Sequence, residues 1–556
     1  MLLFCAVLIK PFAEIGISDD FSYVRTAQML AATGHIVYNR WAAMPMGWQL
    51  YLGALFIKWF GFSFTVTRVS VFVVSLVNAY LTHRVATQFG LTAWNATLAT
   101  LTVILSPAWL MMELNFMSDA SGLFCIVLCM YACQRALLAH SSRSALGWIW
   151  FAGLSNIADG TVRQTAWLGV LVLVPATAWL MRRTKGALLS GVLIWVVGFI
   201  AILGYLHWYY AQPFSVPEKL FNGWDVITFS ETLLRSVSTL AMLSLPVLMV
   251  SPLALGRLSR RQRSIAFITA GIVSAAVVGV IGALFLHGNA AAYQPLVPLW
   301  LPDNITYAGV KQQNEIAGHA PVFLHLPYRL LLTLSVVVSV VCSGFLLKIG
   351  SHSPEADQGR VKSRALSRHD THFLLLMFAG GYAAVLIPRA FIGMIFDRYM
   401  LPLVMVLVIL VLRRVQERAG KPSYMLGWAT LCFFTCFAVA ATHDLYAFDR
   451  ARVTALDEVT NSGVPRTSLE GGFEYDGWTQ ILTTGFIPDP GLMTEAPGFR
   501  RDNCRNFFYV VAPSVKPRYL ISFDASGCYP PSVFASVPYQ AWLPPHRRFL
   551  YVQQVY

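Results

Sequence analysis

Two adjacent carboxylates, Asp19 and Asp20, follow the first apolar run of the chain in the stretch "SDDFSY". Further along, "MELNFMSDAS" supplies Glu113 and Asp119, "IADGTVRQ" supplies Asp159 and Arg163, and "PRAFIGMIFDRYMLP" supplies Arg389, Asp397, Arg398 and Tyr399. All of these charges sit at the ends of apolar stretches. An ionised side chain at the bilayer centre costs roughly 2.5–3.5 kcal/mol, so the group belongs at a water–lipid boundary. Carboxylates there can take a proton from an attacking hydroxyl or amine. Arginines there can meet the negative charge that builds on a leaving phosphate.

The elements that must position these residues are membrane helices. The 556 residues are 56% hydrophobic and only 12% charged, where a soluble chain carries about 25% charged residues. Apolar runs of about 20 residues recur, each long enough to cross a ~30 Å hydrocarbon layer. The formal charge of +14 does not indicate a nucleic-acid partner. Its Lys and Arg lie mostly in short loops at 83–90, 140–144, 181–186, 256–263, 350–370 and 413–421, and the positive-inside bias assigns these loops to the cytoplasm.

The expected fold class is a polytopic α-helical membrane protein with about thirteen spans. These fall near 65–82, 95–112, 121–139, 146–158, 165–181, 187–208, 236–255, 264–286, 328–348, 372–388, 399–412 and 423–441, with a short first run before them. "GWQLYLGALFIKWFGF" (47–62) is interrupted by Lys58 and rich in Trp and Tyr, which favour the headgroup layer. It reads as an amphipathic helix within one long external loop, 13–64. The expected division is a membrane region over 1–441 and a small α/β unit outside the cytoplasm over 442–556. In that unit "YAFDRARVTALDEV" has helical periodicity, while "RYLISFDA" and "FLYVQQVY" read as strands. The opening "MLLFCAVLIKPFAEIG" is too poor in apolar residues to span and lacks a secretory layout, which points to a piece missing upstream.

Cys125, Cys129 and Cys133 share one helical face without a His or carboxylate beside them, and are expected to pack rather than bind metal. Cys504 and Cys528 lie in the outer segment, where an oxidising compartment permits a disulfide. His319 and His325 are expected at a loop surface. Asp119 can also serve as a cap for the helix beginning at Ala120.

ATP and nucleotide sugars are not normally available outside the cytoplasm. A transfer reaction there draws on a group carried by a lipid, and a polyprenyl phosphate is a natural carrier. The motifs, in their order along the chain, support this. The acidic pair "SDDFSY", the surface helix, the basic-ended span "RVSVFVVSLVNAYLTHRVATQFG", "NFMSDASGLF" and the late "DRYMLPLV" together resemble the GT-C membrane glycosyltransferases, within them the protein O-mannosyltransferase and lipid A aminoarabinose transferase group. The resemblance covers the first 180 residues well and 388–412 moderately. It implies a GT-C fold with Asp19 as catalytic base, Asp20 beside it in place of the family's Glu, and Asp119 as the Asp of the second external loop. It implies donor-phosphate contacts for Arg163, Arg398 and Tyr399, and Tyr23 at an aromatic position of the first motif. Glu113 is expected on the substrate side of the same cavity. Ser118 stands where the family usually has Thr, and "MPMG" replaces a histidine-proline.

The expected activity is therefore transfer of a sugar from a polyprenyl phosphate to an external lipid, glycan or protein, at an inner or plasma membrane. Membrane lipids are the other partners. No cofactor is expected, a divalent ion between Asp19 and Asp20 being the lesser alternative. A lipid-sugar transporter or flippase would keep ionisable groups near mid-membrane, and few are found there. A catalytically idle, glycan-binding scaffold would have no use for the acidic pair.

Overall fold

The computed structural model describes residues 1–555 except 42, 219–222, 256–258, 287–295, 298–303, 307–308, 312–315, 350–365, 419–422, 489–503 and 505–510. The basic stretches expected at 256–258, 350–365 and 419–421 lie outside the described residues. Among those described, nine helices are long and apolar enough to cross a membrane: Phe64–Gln88, Ser118–Leu137, Ala187–Tyr210, Val226–Leu243, Arg260–Ala283, Leu326–Leu346, Arg368–Ala390, Asp397–Glu417 and Met425–Asn461. The chain is a multi-pass membrane protein.

About thirteen spans are expected, and several of those apolar runs are broken within the described residues. The run at 95–112 forms a helix only over Ala93–Ile104, because Pro107 follows and can neither donate a backbone hydrogen bond nor continue the turn. The run at 236–255 divides into Val226–Leu243 and two short helices, Leu245–Leu248 and Ser251–Ala254, each with a proline in its first turn. The run at 165–181 becomes a 3-10 turn, a π-helical turn over Gly169–Leu173 and a short α-helix. There Asn156 intrudes on the ladder, its side-chain oxygen accepting from the Val170 N–H at 2.7 Å. Ser142–Asp159 is helical but is not among the nine.

Helix starts follow local capping chemistry. Ser63 caps Phe64–Gln88 by accepting from Val66 N–H at 3.0 Å, satisfying one of the donors a helix leaves open at its first turn. Glu14 reaches the same helix start, accepting from Phe64 N–H at 2.9 Å. It thereby ties the two ends of the 13–64 segment together. That segment contains two helices, Asp20–Thr33 and Gly47–Phe60. The first ends at Gly34, whose φ of 77° closes the last turn onto Leu30.

Burial separates the spans. The Ser118–Leu137 window is 72% buried and the Asp397–Glu417 window 78%, against 17% for Arg260–Ala283. The two innermost spans are the ones that begin with Asp119 and with Arg398–Tyr399. Cys125, Cys129 and Cys133 are buried on the first of them.

The Met425–Asn461 helix is continuous for 37 residues, so residue 441 falls inside it. Beyond it lie a helix, Phe473–Thr484, and a four-stranded sheet. Leu469–Glu470 runs parallel to Tyr519–Ser522, which pairs antiparallel with Pro545–Gln554, which in turn pairs with Val537–Trp542. Burial alternates strictly along Val537–Trp542, as a strand with one packed face requires. Asp444 fastens the hairpin to the long helix, accepting from Trp542 N–H at 2.7 Å and Leu543 N–H at 2.8 Å. Cys504 and Cys528 form a disulfide with their Cα atoms 5.4 Å apart.

Candidate active site

Asp119 is the second residue of the Ser118–Leu137 helix, and no side chain caps that helix. Its carboxylate turns to cations instead. Asp119 Oδ1 lies 2.7 Å from Arg163 Nη1 and 3.5 Å from Arg398 Nε. Arg163 can cross this helix because residue 122 is glycine: a Cβ there would lie 2.8 Å from Arg163 Cδ. Arg163 Nη1 also donates to Ser118 Oγ at 3.1 Å.

The second organising group is Tyr399. The guanidinium carbons of Arg163, Arg389 and Arg398 lie 4.9, 5.2 and 5.7 Å from its ring centroid, within cation–π range. Arg389 Nη1 donates to the Tyr399 hydroxyl at 3.3 Å and pairs on its other side with Glu218. The Tyr399 backbone is pinned by Tyr382, whose hydroxyl donates to its carbonyl at 3.0 Å. Asp397 fixes the turn before Arg398 by accepting from the backbone N–H groups of Arg398, Ile305 and Asn304 at 2.7, 2.8 and 3.0 Å. Three cations are thus gathered about one phenol. A small cleft opens here, lined by Asp119, Arg163, Arg398, Tyr382, Trp109 and Thr165 among others.

The adjacent carboxylates of the first segment have different surroundings. Asp19 is half-buried, and its Oδ1 accepts from Trp41 Nε1 at 2.7 Å. Asp20 is fully buried, accepting from Ile17 N–H at 2.7 Å and facing Arg68 at 3.4 Å. Arg68 in turn donates to the carbonyls of Ala13, at 2.6 Å, and Ile15. Burial pushes the Asp20 carboxyl up to about 6, against the opposing pull of Arg68 and the Ile17 amide. Asp19 thus keeps partial exposure, whereas Asp20 is wholly enclosed among contacts that hold the loop.

Tyr23, one helical turn on from Asp19, is buried. Burial first, and then the fields of Asp19 and Asp119, raise its phenol well above the usual range. It lies within electrostatic reach of both carboxylates. Tyr23 also lines a second small cleft with Ser22, Thr26, Tyr38 and Asn39.

Glu113 and Asp159 do not join this group. Glu113 is fully buried and accepts from Trp109 Nε1 at 3.0 Å, and burial raises its carboxyl well above the usual range. Asp159 accepts from Trp48 Nε1 at 3.2 Å. Both carboxylates thus face tryptophans rather than the arginines around Tyr399. His319 and His325 are exposed, His319 lying 2.8 Å from Asp524. Among the described residues no group of three or more His, Cys, Asp or Glu side chains could hold a metal ion.

Several residues of the site carried no recognisable sequence signal. Trp41 and Arg68 hold Asp19 and Asp20. Lys311 Nζ donates to Ser18 Oγ at 3.2 Å, and Glu474 Oε1 accepts from Ser18 N–H at 3.0 Å. Arg68 alone offered a hint, as an arginine at the edge of an apolar run.

No family model and no curated protein matches the chain. Two solved structures are similar to it, both of ArnT from Cupriavidus metallidurans. The apo form gives a TM-score of 0.37 at 11% identity, covering 99% of this chain and 96% of that one. The form bound to undecaprenyl phosphate gives 0.35 at 11% identity with the same coverage.

Proposed function

We propose that the chain is a membrane glycosyltransferase that moves a sugar from a polyprenyl-phosphate donor to an acceptor at the outer face of the membrane. The observation that carries this reading is the gathering of Arg163, Arg389 and Arg398 about Tyr399, with Asp119 between two of them. The order of motifs in the sequence supports it independently.

In the proposed step the acceptor's hydroxyl or amine attacks the anomeric carbon from the side opposite the phosphate. The new C–O or C–N bond forms as the bond from the anomeric carbon to the phosphate oxygen breaks, which inverts the centre. The phosphate leaves with the electron pair, and Asp19 takes the acceptor's proton. The arginines stabilise the departing charge in a site largely shielded from water, where fixed cations are worth more than in solution. Asp119 holds Arg163 and Arg398 at a set spacing before the donor arrives. The step uses no metal or other cofactor.

The test is transfer from a purified polyprenyl-phosphate sugar by protein in detergent or nanodiscs, with donor binding measured in parallel. Asp19→Asn keeps the size of the side chain and removes its basicity, so transfer falls by about 10²–10⁴-fold while donor binding is largely kept. Wild-type transfer by Asp19→Asn would remove the base from the scheme. Movement of the intact lipid-sugar across the bilayer without transfer would replace the reading by a flippase.

A further inference from the structure

We infer that Glu474 and Phe473, at the start of the Phe473–Thr484 helix, are positioning residues for Asp19, so that the polar C-terminal segment completes the catalytic loop. The inference rests on the proposed role of Asp19 as base.

Four contacts converge on the residues around Asp19. Glu474 Oε1 accepts the backbone N–H of Ser18 at 3.0 Å, immediately before Asp19. Ser18 has a φ of 58°, a left-handed conformation that a non-glycine residue keeps only where its surroundings enforce it. The other oxygen of Glu474 is held by Arg452 Nη2 at 3.0 Å, and both side chains are almost fully buried. Glu474 is therefore fixed before it meets the loop. Phe473 packs against Phe21 and Trp41 with ring centroids 5.4 Å away in each case, and Trp41 is the residue that donates to the Asp19 carboxylate. The same helix turn thus holds the backbone before Asp19 and the indole that orients its side chain.

The fit is close. Gly477, one turn further along, lies so near Phe21 that a Cβ would come within 2.6 Å of its ring. The helix can seat against the Asp20–Thr33 helix only with glycine at that position. A displacement of about 1 Å at a reacting group can cost on the order of 10²-fold in rate, so this brace bears on turnover even though it touches no substrate.

The experiment measures kcat and donor KM in full-length protein for Glu474→Ala, Glu474→Gln and Phe473→Leu. Each is made alone and combined with Asp19→Asn. Glu474→Ala should lower kcat by about 10–100-fold with donor KM within about threefold. Glu474→Gln keeps an oxygen for the Ser18 N–H and should recover most of that loss, although its ion pair with Arg452 is gone. Phe473→Leu leaves the charges intact and should lower kcat about fivefold. On an Asp19→Asn background none of the three should cost more, because they act through the same carboxylate.

A merely structural anchor predicts that Glu474→Gln falls as far as Glu474→Ala, or that losses multiply in the double variants, and either result overturns the inference. Wild-type kcat for both Glu474→Ala and Phe473→Leu beside a crippled Asp19→Asn also overturns it, and leaves the base assignment standing. Wild-type transfer by Asp19→Asn itself overturns the base assignment and this inference together. If Glu474→Ala does not accumulate in membranes, Phe473→Leu and Glu474→Gln carry the decision.

Discussion

Asp119 and Arg163 approach to 2.7 Å between the start of one span and the turn leading into another. The Asp119 side chain is only 3% exposed and Arg163's 11%, so neither charge is well hydrated. Removing one partner of such a pair leaves the other uncompensated, at a cost of about 3–5 kcal/mol in well-buried cases.

Asp119→Ala should therefore lower stability by an amount approaching that range, because two arginines lose their shared carboxylate. Thermal unfolding of the purified protein measures it. Polyprenyl phosphate should raise the melting temperature of the variant more than that of the wild type, by supplying the missing negative charge. An unchanged melting temperature would mean that Asp119 does not hold the arginines.

Arg398→Lys should retain part of the transfer activity and Arg398→Ala far less. Lysine keeps the charge but loses the planar fork and the stacking on Tyr399 and Phe396. Paired rate and donor-binding measurements give the comparison. Near-wild-type rates for both variants would reduce Arg398 to an anchor at the end of its span.

Asp20 has a pH signature. Its folded pKa is raised to about 6 from an ordinary 3.8, so the folded state holds the proton more tightly than the unfolded state does. The stability from this group is complete below about pH 4 and is lost as pH rises through 6. A shift of that size corresponds to about 3 kcal/mol between the two ends. Asp20→Asn should remove this part of the slope, so the stability difference between variant and wild type moves in favour of the variant between pH 4 and 6. Parallel stability curves over that window would show that Asp20 does not titrate in it.

Cysteines 504 and 528, separated by 24 positions, should be protected from alkylation until the protein is reduced. Replacing both by serine should destabilise the C-terminal segment by about 2–4 kcal/mol, seen as faster proteolysis within 462–556. Two free thiols in unreduced protein would contradict the pairing.

The residues now found around Tyr399 were legible in the sequence because each stands at the edge of an apolar run, where charge has few structural uses. The membrane architecture was legible for the same reason. The breaks within several apolar runs were not. Hydropathy alone does not register that Pro107, Pro246 and Pro252 interrupt runs of sufficient length. Glu113 and Asp159 occupy the same edge positions as Asp119, yet the fold takes them into separate buried pairings with tryptophans, and one-dimensional position cannot distinguish these outcomes. Glu474 was beyond reach for a different reason: its partner Ser18 is 456 positions away, and a solvated helix start is the ordinary reading of a glutamate in a polar segment.

The unbroken Met425–Asn461 helix has a mechanical consequence. At 1.5 Å per residue it is about 55 Å long, roughly 25 Å more than the hydrocarbon layer. Its far half carries Arg452, which grips Glu474, and no hinge separates that half from the apolar one. A thinner or thicker bilayer that tilts the apolar half by ~5° swings the projecting half by ~2 Å. The helix is in effect a lever with one arm in lipid and the other bearing on the loop of Asp19. Turnover should consequently vary with the acyl-chain length of the surrounding bilayer, as reconstitution into lipids of graded thickness would measure.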